Sequence, residues 1–233
     1  RKNIHAFAKR SMRKDWSYRN AEGAEVGERF VPFDRVGIYV PGGKAPLVST
    51  ALMTGAFAHA AGVPEIIAAT PPGADGSVNP DLLYALSEAG ATEIYKMGGA
   101  HGIAALSLGT KSIAPVDKVF GPGNKFVVEA KRQMVGAVSI DLLPGPSEVL
   151  IAADVSGNPR FLAADLLAQA EHGPDCVVGF VTTSKKLLVD VQAEVKKQLA
   201  DLPRKEIAKQ ALKKAGFMLL VKSMKEAISI VND

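Results

Sequence analysis

The chain holds a single cysteine, Cys176, which excludes an internal disulfide framework and fits a reducing, cytoplasmic compartment. Only 6% of its residues are aromatic, and no stretch interleaves them with basic side chains, which argues against a nucleic-acid partner. No apolar run approaches the roughly 18 to 20 uncharged residues of a membrane span, so no membrane partner is expected. The start, Arg1-Lys-Asn-Ile-His5, lacks the apolar core of a signal peptide. A standard dinucleotide fingerprint, G-x-G-x-x-G, is also missing, because Gly121-Pro-Gly123 is followed by Asn-Lys-Phe.

What is there is ordinary in bulk and uneven in detail. At 233 residues, 47% hydrophobic and 22% charged, the chain can bury the core of one large or two modest domains. The net charge of +4 hides a split. Residues 1–19 carry seven Lys/Arg against one Asp, and residues 184–233 carry eleven against six acids. The middle therefore has ten basic and seventeen acidic residues, a net of −7. The lysine pairs 185/186, 196/197 and 213/214 fall in helical patterns and read as solvated faces.

The first fourteen residues read as a basic amphipathic helix with Ile4, Phe7, Ala8 and Met12 inward, followed by an alternating strand over Val26–Phe33. From there β-rich runs and helical patterns alternate. Strands are expected at Val36–Val40, Glu65–Ala69, Ile94–Met97 and Lys118–Phe120, with helices at Leu47–Ala60, Pro80–Glu88, Gly102–Leu108 and Lys125–Val135. Asn79-Pro80 is a helix start, an N-cap followed by proline at the first helical position. A second round runs through strand Val149–Ala152, helix Pro159–Glu171, strand Val177–Thr182, helix Lys185–Ala200, strand Met218–Val221 and helix Ser223–Val231. The pattern predicts an α/β chain of two similar lobes, each a mostly parallel sheet covered by helices, joined near Gly145–Ser147. Cys176, ahead of Val177, Val178, Phe180 and Val181, reads as inert core.

Five Gly/Pro-rich motifs punctuate this alternation: Tyr39-Val-Pro-Gly-Gly43, Gly98-Gly-Ala-His101, Phe120-Gly-Pro-Gly-Asn124, Gly145-Pro-Ser-Glu148 and Gln169-Ala-Glu-His-Gly-Pro-Asp175. Glycine turns at strand ends let a ligand approach the backbone, and the helix N-terminus behind them offers free N–H groups to an anion. The pattern alone leaves a nucleotide site and plain turn chemistry both open. His101 reads either as a ligand-facing group or as a helix-start histidine, His59 as a helix-terminus partner and His5 as surface. Gln169 and His172 sit three residues apart, on one face of a helix that His172-Gly-Pro ends. Imidazole is a common zinc ligand and a Gln carbonyl oxygen a weak one, so a metal held there needs further ligands.

The order and spacing of these motifs resemble the histidinol dehydrogenase family, from about Phe33 onward with a fainter match over the first helix. The resemblance implies two related, incomplete Rossmann-like lobes: residues 35–145 on the NAD side and 146–233 on the metal and substrate side. It places residues 1–34, a helix and a strand, against the second lobe. It implies NAD contacts at Tyr39 and Asn124, and a third at the fourth position of Gly-Gly-Ala-Gln, where this chain has His101. Ser147, Gln169 and His172 then contact substrate, and Gln169 and His172 supply two of four zinc ligands. No G-x-S-x-G elbow surrounds Ser147, so it is not read as a nucleophile. The remaining ligands, an Asp and a His, and a catalytic Gly-Pro-Glu-His pair have no match before Asp233. The chain is therefore expected to be a central fragment, inactive alone and without catalytic residues of its own.

The implied reaction is the oxidation of L-histidinol to the acid in histidine biosynthesis, through a held aldehyde, in two hydride transfers to NAD. In that reading zinc orients the alcohol, a His accepts the proton and a Glu activates water. A homodimer is implied, because one zinc ligand comes from the neighbouring subunit. Two alternatives stay open. One is a paralogous dehydrogenase for another small alcohol, such as a sulfonated diol, with His101 as its marker. The other is a non-catalytic module that binds a nucleotide or a partner.

Overall fold

A computed structural model describes residues 1–42, 47–145 and 147–232. Gly43 of the first motif and Pro146 of the fourth lie outside the described residues. The chain divides into two compact units, Arg1–Pro144 and Gly145–Asp233. No described helix is long and apolar enough to cross a membrane.

The first unit opens with α1 (Lys2–Ser11) and an antiparallel hairpin, β1 (Trp16–Arg19) and β2 (Glu25–Glu28). Here the strand expected over Val26–Phe33 is corrected. The turn Asn20–Ala24 folds the chain back: Gly23 sits at φ +85°, and the Asn20 carboxamide oxygen accepts from the Ala24 N–H. Pairing stops at Glu28, short of Pro32, which has no N–H to donate to a ladder. The inward set expected for α1 shrinks to buried Ala8 and half-buried Ile4, because Phe7 is 67% exposed and Met12 is also exposed. This helix packs on α2 (Val48–Ala60), where His5 and His59 meet edge to face at 5.8 Å and Phe7 and Phe57 lie tilted at 6.2 Å. By its contacts α1 groups with the first unit.

The rest of the unit is β3 (Arg35–Tyr39), β4 (Glu65–Thr70), α3 (Pro80–Ala89), β5 (Glu93–Lys96), α4 (Gly99–Leu108), β6 (Lys118–Phe120), α5 (Lys125–Met134) and β7 (Ser139–Ile140). Every strand pair in this sheet is parallel, in the order β5-β4-β3-β6-β7. Side chains alternate across it, as a pleated strand requires. Val36, Ile38, Ile66 and Ala68 pack toward α2 and α3, while Tyr39, Ile67 and Ala69 pack toward α4 and α5. Each fully buried Ile or Leu stabilises the fold by roughly 1.5–3 kcal/mol. At the N-terminal edge Arg35 joins three strands by pairing with Glu65 and with Glu93.

The second unit runs β8 (Glu148–Ala153), α6 (Pro159–Ala170), β9 (Val177–Thr182), α7 (Lys185–Asp201), α8 (Lys205–Ala215), β10 (Gly216–Leu220) and α9 (Met224–Asn232). Its sheet is parallel, in the order β10-β9-β8. Its main core gathers Leu166, Leu167, Val178, Phe180, Leu187 and Val191, with Cys176 buried just ahead of β9. Helix α8 was not expected from the sequence. Helix starts are marked by Asn79, Asn124, Asn158 and Ser184, whose side chains accept from the N–H groups of the first turn, each worth about 1 kcal/mol.

Candidate functional site

In the five-stranded sheet the chain leaves β3 to one side, toward β4, and returns to the other side as β6. Open α/β sheets take ligands at such a reversal, outside the carboxyl ends of the strands. Tyr39 ends β3, and Gly121 follows β6 directly across from it. Gly121 has φ +123°, and a Cβ there would lie 2.2 Å from the Tyr39 carbonyl oxygen. Only glycine passes that close. The neighbouring turns crowd in the same way: a Cβ on Gly42 would meet the Pro71 carbonyl oxygen at 2.9 Å, and one on Gly98 the Pro71 ring at 2.5 Å. Turns from β6, β3, β4 and β5 thereby form one continuous rim.

Three sequence-predicted residues lie on this rim. Tyr39 is 3% exposed, and its hydroxyl accepts from the Gly99 N–H at 2.9 Å, so it fixes the start of α4. A phenol accepting one bond keeps its own proton for another partner. His101 is exposed in the first turn of α4. That helix starts at Gly99 rather than Gly102, which brings His101 inside it. Asn124 caps α5: its oxygen accepts from Phe126 N–H at 3.0 Å and Val127 N–H at 3.2 Å. Its two amide N–H donors stay uncommitted among the described residues. Helices α4 and α5 cover the same face of the sheet, so their positive N-terminal ends lie at one edge. Uncommitted donors, two helix N-termini and glycine turns without Cβ atoms fit the phosphates and amide of a dinucleotide.

Sequence reasoning missed two further groups on this rim. Thr70, at the end of β4, has a buried hydroxyl with no partner among the described residues. Lys131 is the one charged side chain in the buried set of the described residues, and it pairs with Asp141. Neither the burial of Thr70 nor the Lys131–Asp141 pair is signalled by a local sequence pattern.

The other three predicted residues lie in the second unit, at the opposite kind of edge. Helix α6 runs back along the sheet, so its C-terminal end meets the N-terminal edge of the strands. Ser147 is exposed immediately before β8, and its carbonyl accepts from Val177 N–H at 3.3 Å, where β9 begins. Gln169 lies in the last turn of α6; its amide nitrogen is buried with no partner among the described residues. His172 follows the helix, exposed, its N–H bonded to the Gln169 carbonyl at 3.1 Å. The structure therefore brings Ser147, Gln169 and His172 to one edge of one sheet. Among the described residues no three His, Cys, Asp or Glu side chains cluster as a metal site. His172 has an accessible imidazole and Gln169 a side-chain carbonyl oxygen, so the two can take two positions of a zinc site; the unpartnered Gln169 amide nitrogen is a donor and not a ligand.

The histidinol dehydrogenase family model matches residues 1–233. A histidinol dehydrogenase of Thermus thermophilus is 50% identical over 233 residues, covering 100% of this chain and 55% of its own length. One of Bacillus licheniformis is 46% identical over 231 residues, 99% of this chain and 54% of its own. The crystal structure of histidinol dehydrogenase from Elizabethkingia anophelis superposes with a TM-score of 0.92 at 42% identity, covering 99% of this chain and 53% of that one. The chain thus spans about half the length of the relatives it matches. With the motifs, the two parallel sheets and these likenesses in agreement, the chain belongs to the histidinol dehydrogenase family.

Proposed function

We propose that the protein is a zinc- and NAD-dependent dehydrogenase that oxidises L-histidinol to L-histidine through the aldehyde, as a cytoplasmic homodimer. The observation that carries this reading is the convergence of Tyr39, His101 and Asn124 on the switch-point rim of a family member. Tyr39 holds the start of α4, and with it His101, in register with the sheet. Asn124 uses its oxygen to cap α5 and offers its N–H donors to the cofactor. The ends of α4 and α5 favour the pyrophosphate charge. Ser147, Gln169 and His172 hold the alcohol, and Gln169 and His172 also hold the metal. When bound, NAD takes the hydride, and zinc orients and polarises the alcohol oxygen. The relatives' names support histidinol over a sulfonated diol as substrate, and a dehydrogenase over a non-catalytic module.

Asn124→Asp tests the cradle in the full-length protein. Aspartate caps a helix as well as asparagine does, so the thermal midpoint should hold. It replaces two donors with a negative charge, so NAD affinity by titration calorimetry should fall at least about tenfold, the worth of one hydrogen bond to a charged group. Unchanged NAD affinity would place the cofactor elsewhere.

A further inference from the structure

The turn that crosses the switch point is held by side chains rather than by the sheet. Gly121 is buried, and it is the first residue beyond β6. Its N–H donates to Asp141 Oδ2 at 2.9 Å, and its carbonyl accepts from Lys131 Nζ at 3.0 Å. Lys131 and Asp141 are themselves an ion pair, through Asp141 Oδ1, which also accepts from the Leu142 N–H at 2.7 Å. Lys131 lies two turns into α5, and its stem runs back toward the helix start, as helical side chains do. Asp141 follows β7, the strand beside β6. One ion pair therefore grips both faces of a single peptide residue from two neighbouring elements.

Lys131 is buried and the Asp141 side chain is 26% exposed, and such a pair is a poor source of net stability, since desolvation of the ammonium offsets much of its attraction. What this pair does supply is direction. Gly121 sits at φ +123°, a conformation open to glycine, and glycine is also the residue with most freedom to leave it. Three residues later the chain must deliver Asn124 to the N-cap of α5. We infer that the Lys131–Asp141 pair is the positioning device of the nucleotide cradle: it locks the peptide groups of Gly121 so that the Gly121–Asn124 turn and the start of α5 are preorganised for the dinucleotide. Neither side chain touches the cofactor. The inference rests on the NAD reading of this rim.

The test separates positioning from stability. Lys131→Met together with Asp141→Asn keeps volume, leaves no unpaired charge, and keeps an acceptor for Gly121 N–H while removing the donor to its carbonyl. The double variant of the full-length protein should melt within about 5 °C of wild type, because neutral replacement of a half-buried pair costs little. Lys131→Met alone leaves the partly exposed Asp141 carboxylate without its cation and should melt below the double variant. In titration calorimetry with NAD, the double variant should bind at least about fivefold more weakly despite its retained stability. A merely structural pair would move the two readouts together. Lys131→Arg covers the case in which the double variant does not fold: it keeps the charge but cannot reproduce a single ammonium donor at that carbonyl, and should weaken NAD binding about threefold or more. If either folded variant binds NAD as wild type does, while Asn124→Asp loses affinity, the positioning role is refuted and the cradle stands. If Asn124→Asp also binds normally, the NAD reading itself fails and this inference falls with it.

Discussion

Replacing Gly121 with alanine should damage both the fold and the cofactor site, by an amount that the structure sets. The φ of +123° is one that an L side chain rarely adopts, which costs about 1–3 kcal/mol. The new Cβ would sit 2.2 Å from the Tyr39 carbonyl oxygen and 3.1 Å from the Tyr39 carbonyl carbon and nitrogen. Main chain has no rotamer to swing aside, so the turn or the end of β3 must shift, at a further ~1–3 kcal/mol. For a domain of this size the thermal midpoint should fall on the order of 10 °C. Gly136→Ala is the matched control. Its φ is +95°, but nothing lies within 4 Å of its Cβ position, so strain alone remains, at about 1–2 kcal/mol. Scanning calorimetry should rank Gly121→Ala well below Gly136→Ala, and NAD titration should show lost affinity for the first alone. Equal melting of the two, or wild-type NAD affinity in Gly121→Ala, would refute the reasoning.

Three further outcomes are expected. His101→Gln should change KM for NAD more than about twofold while leaving the kcat/KM ratio between histidinol and other alcohols intact; a changed ratio would make His101 a substrate determinant. His172→Ala should lower zinc affinity at least about tenfold, as ligand loss must exceed the loss of an outer partner, with NAD binding unaffected; metal analysis after dialysis checks it. Glu93 is held below the usual carboxylate value by the Tyr95 hydroxyl and by Arg35, against the opposing effect of burial. A depressed carboxylate contributes stability above its unfolded pKa of about 4.3 and loses it as pH falls. Urea midpoints of wild type and Glu93→Gln should therefore differ at pH 7 and converge below about pH 4.

Most of the fold was legible because the strands of a parallel sheet are buried on both faces. Val36–Val40 and Ile66–Ala69 stand out as unbroken apolar runs near Gly/Pro turns. The hairpin was misjudged because both of its strands are exposed along their whole length, and the alternation Trp16-Ser-Tyr18-Arg19 is only four residues long. Helix α8 buries only Ala208 and Ala211, too little apolar signal beside six charged or amide side chains. The two residues of β7 are recognisable only through their pairing with β6. Phe7 and Met12 follow a helical period, yet α2 covers only the Ala8 side of α1 fully.

The candidate site was legible as motifs and not as geometry. Glycine spacing marked the turns, but the approach of Gly121 to Tyr39 and the bond from Gly99 to the Tyr39 hydroxyl arise from strand order. The Lys131–Asp141 pair joins a helix to a loop ten residues on and then to a turn ten residues back. Periodicity assigned Lys131 to a helix and could say nothing of its burial. That Ser147, Gln169 and His172 share the N-terminal edge of a sheet likewise follows from α6 running back along it.

The most direct test of the central claim is a product count with the full-length protein, L-histidinol, zinc and excess NAD. Absorbance reports NADH, and chromatography reports histidinol consumed and histidine formed. The account predicts two NADH per histidinol, with histidine as the product and the rate abolished by removing the metal. One NADH per histidinol with aldehyde released, or no histidinol-dependent NADH at all, would contradict it.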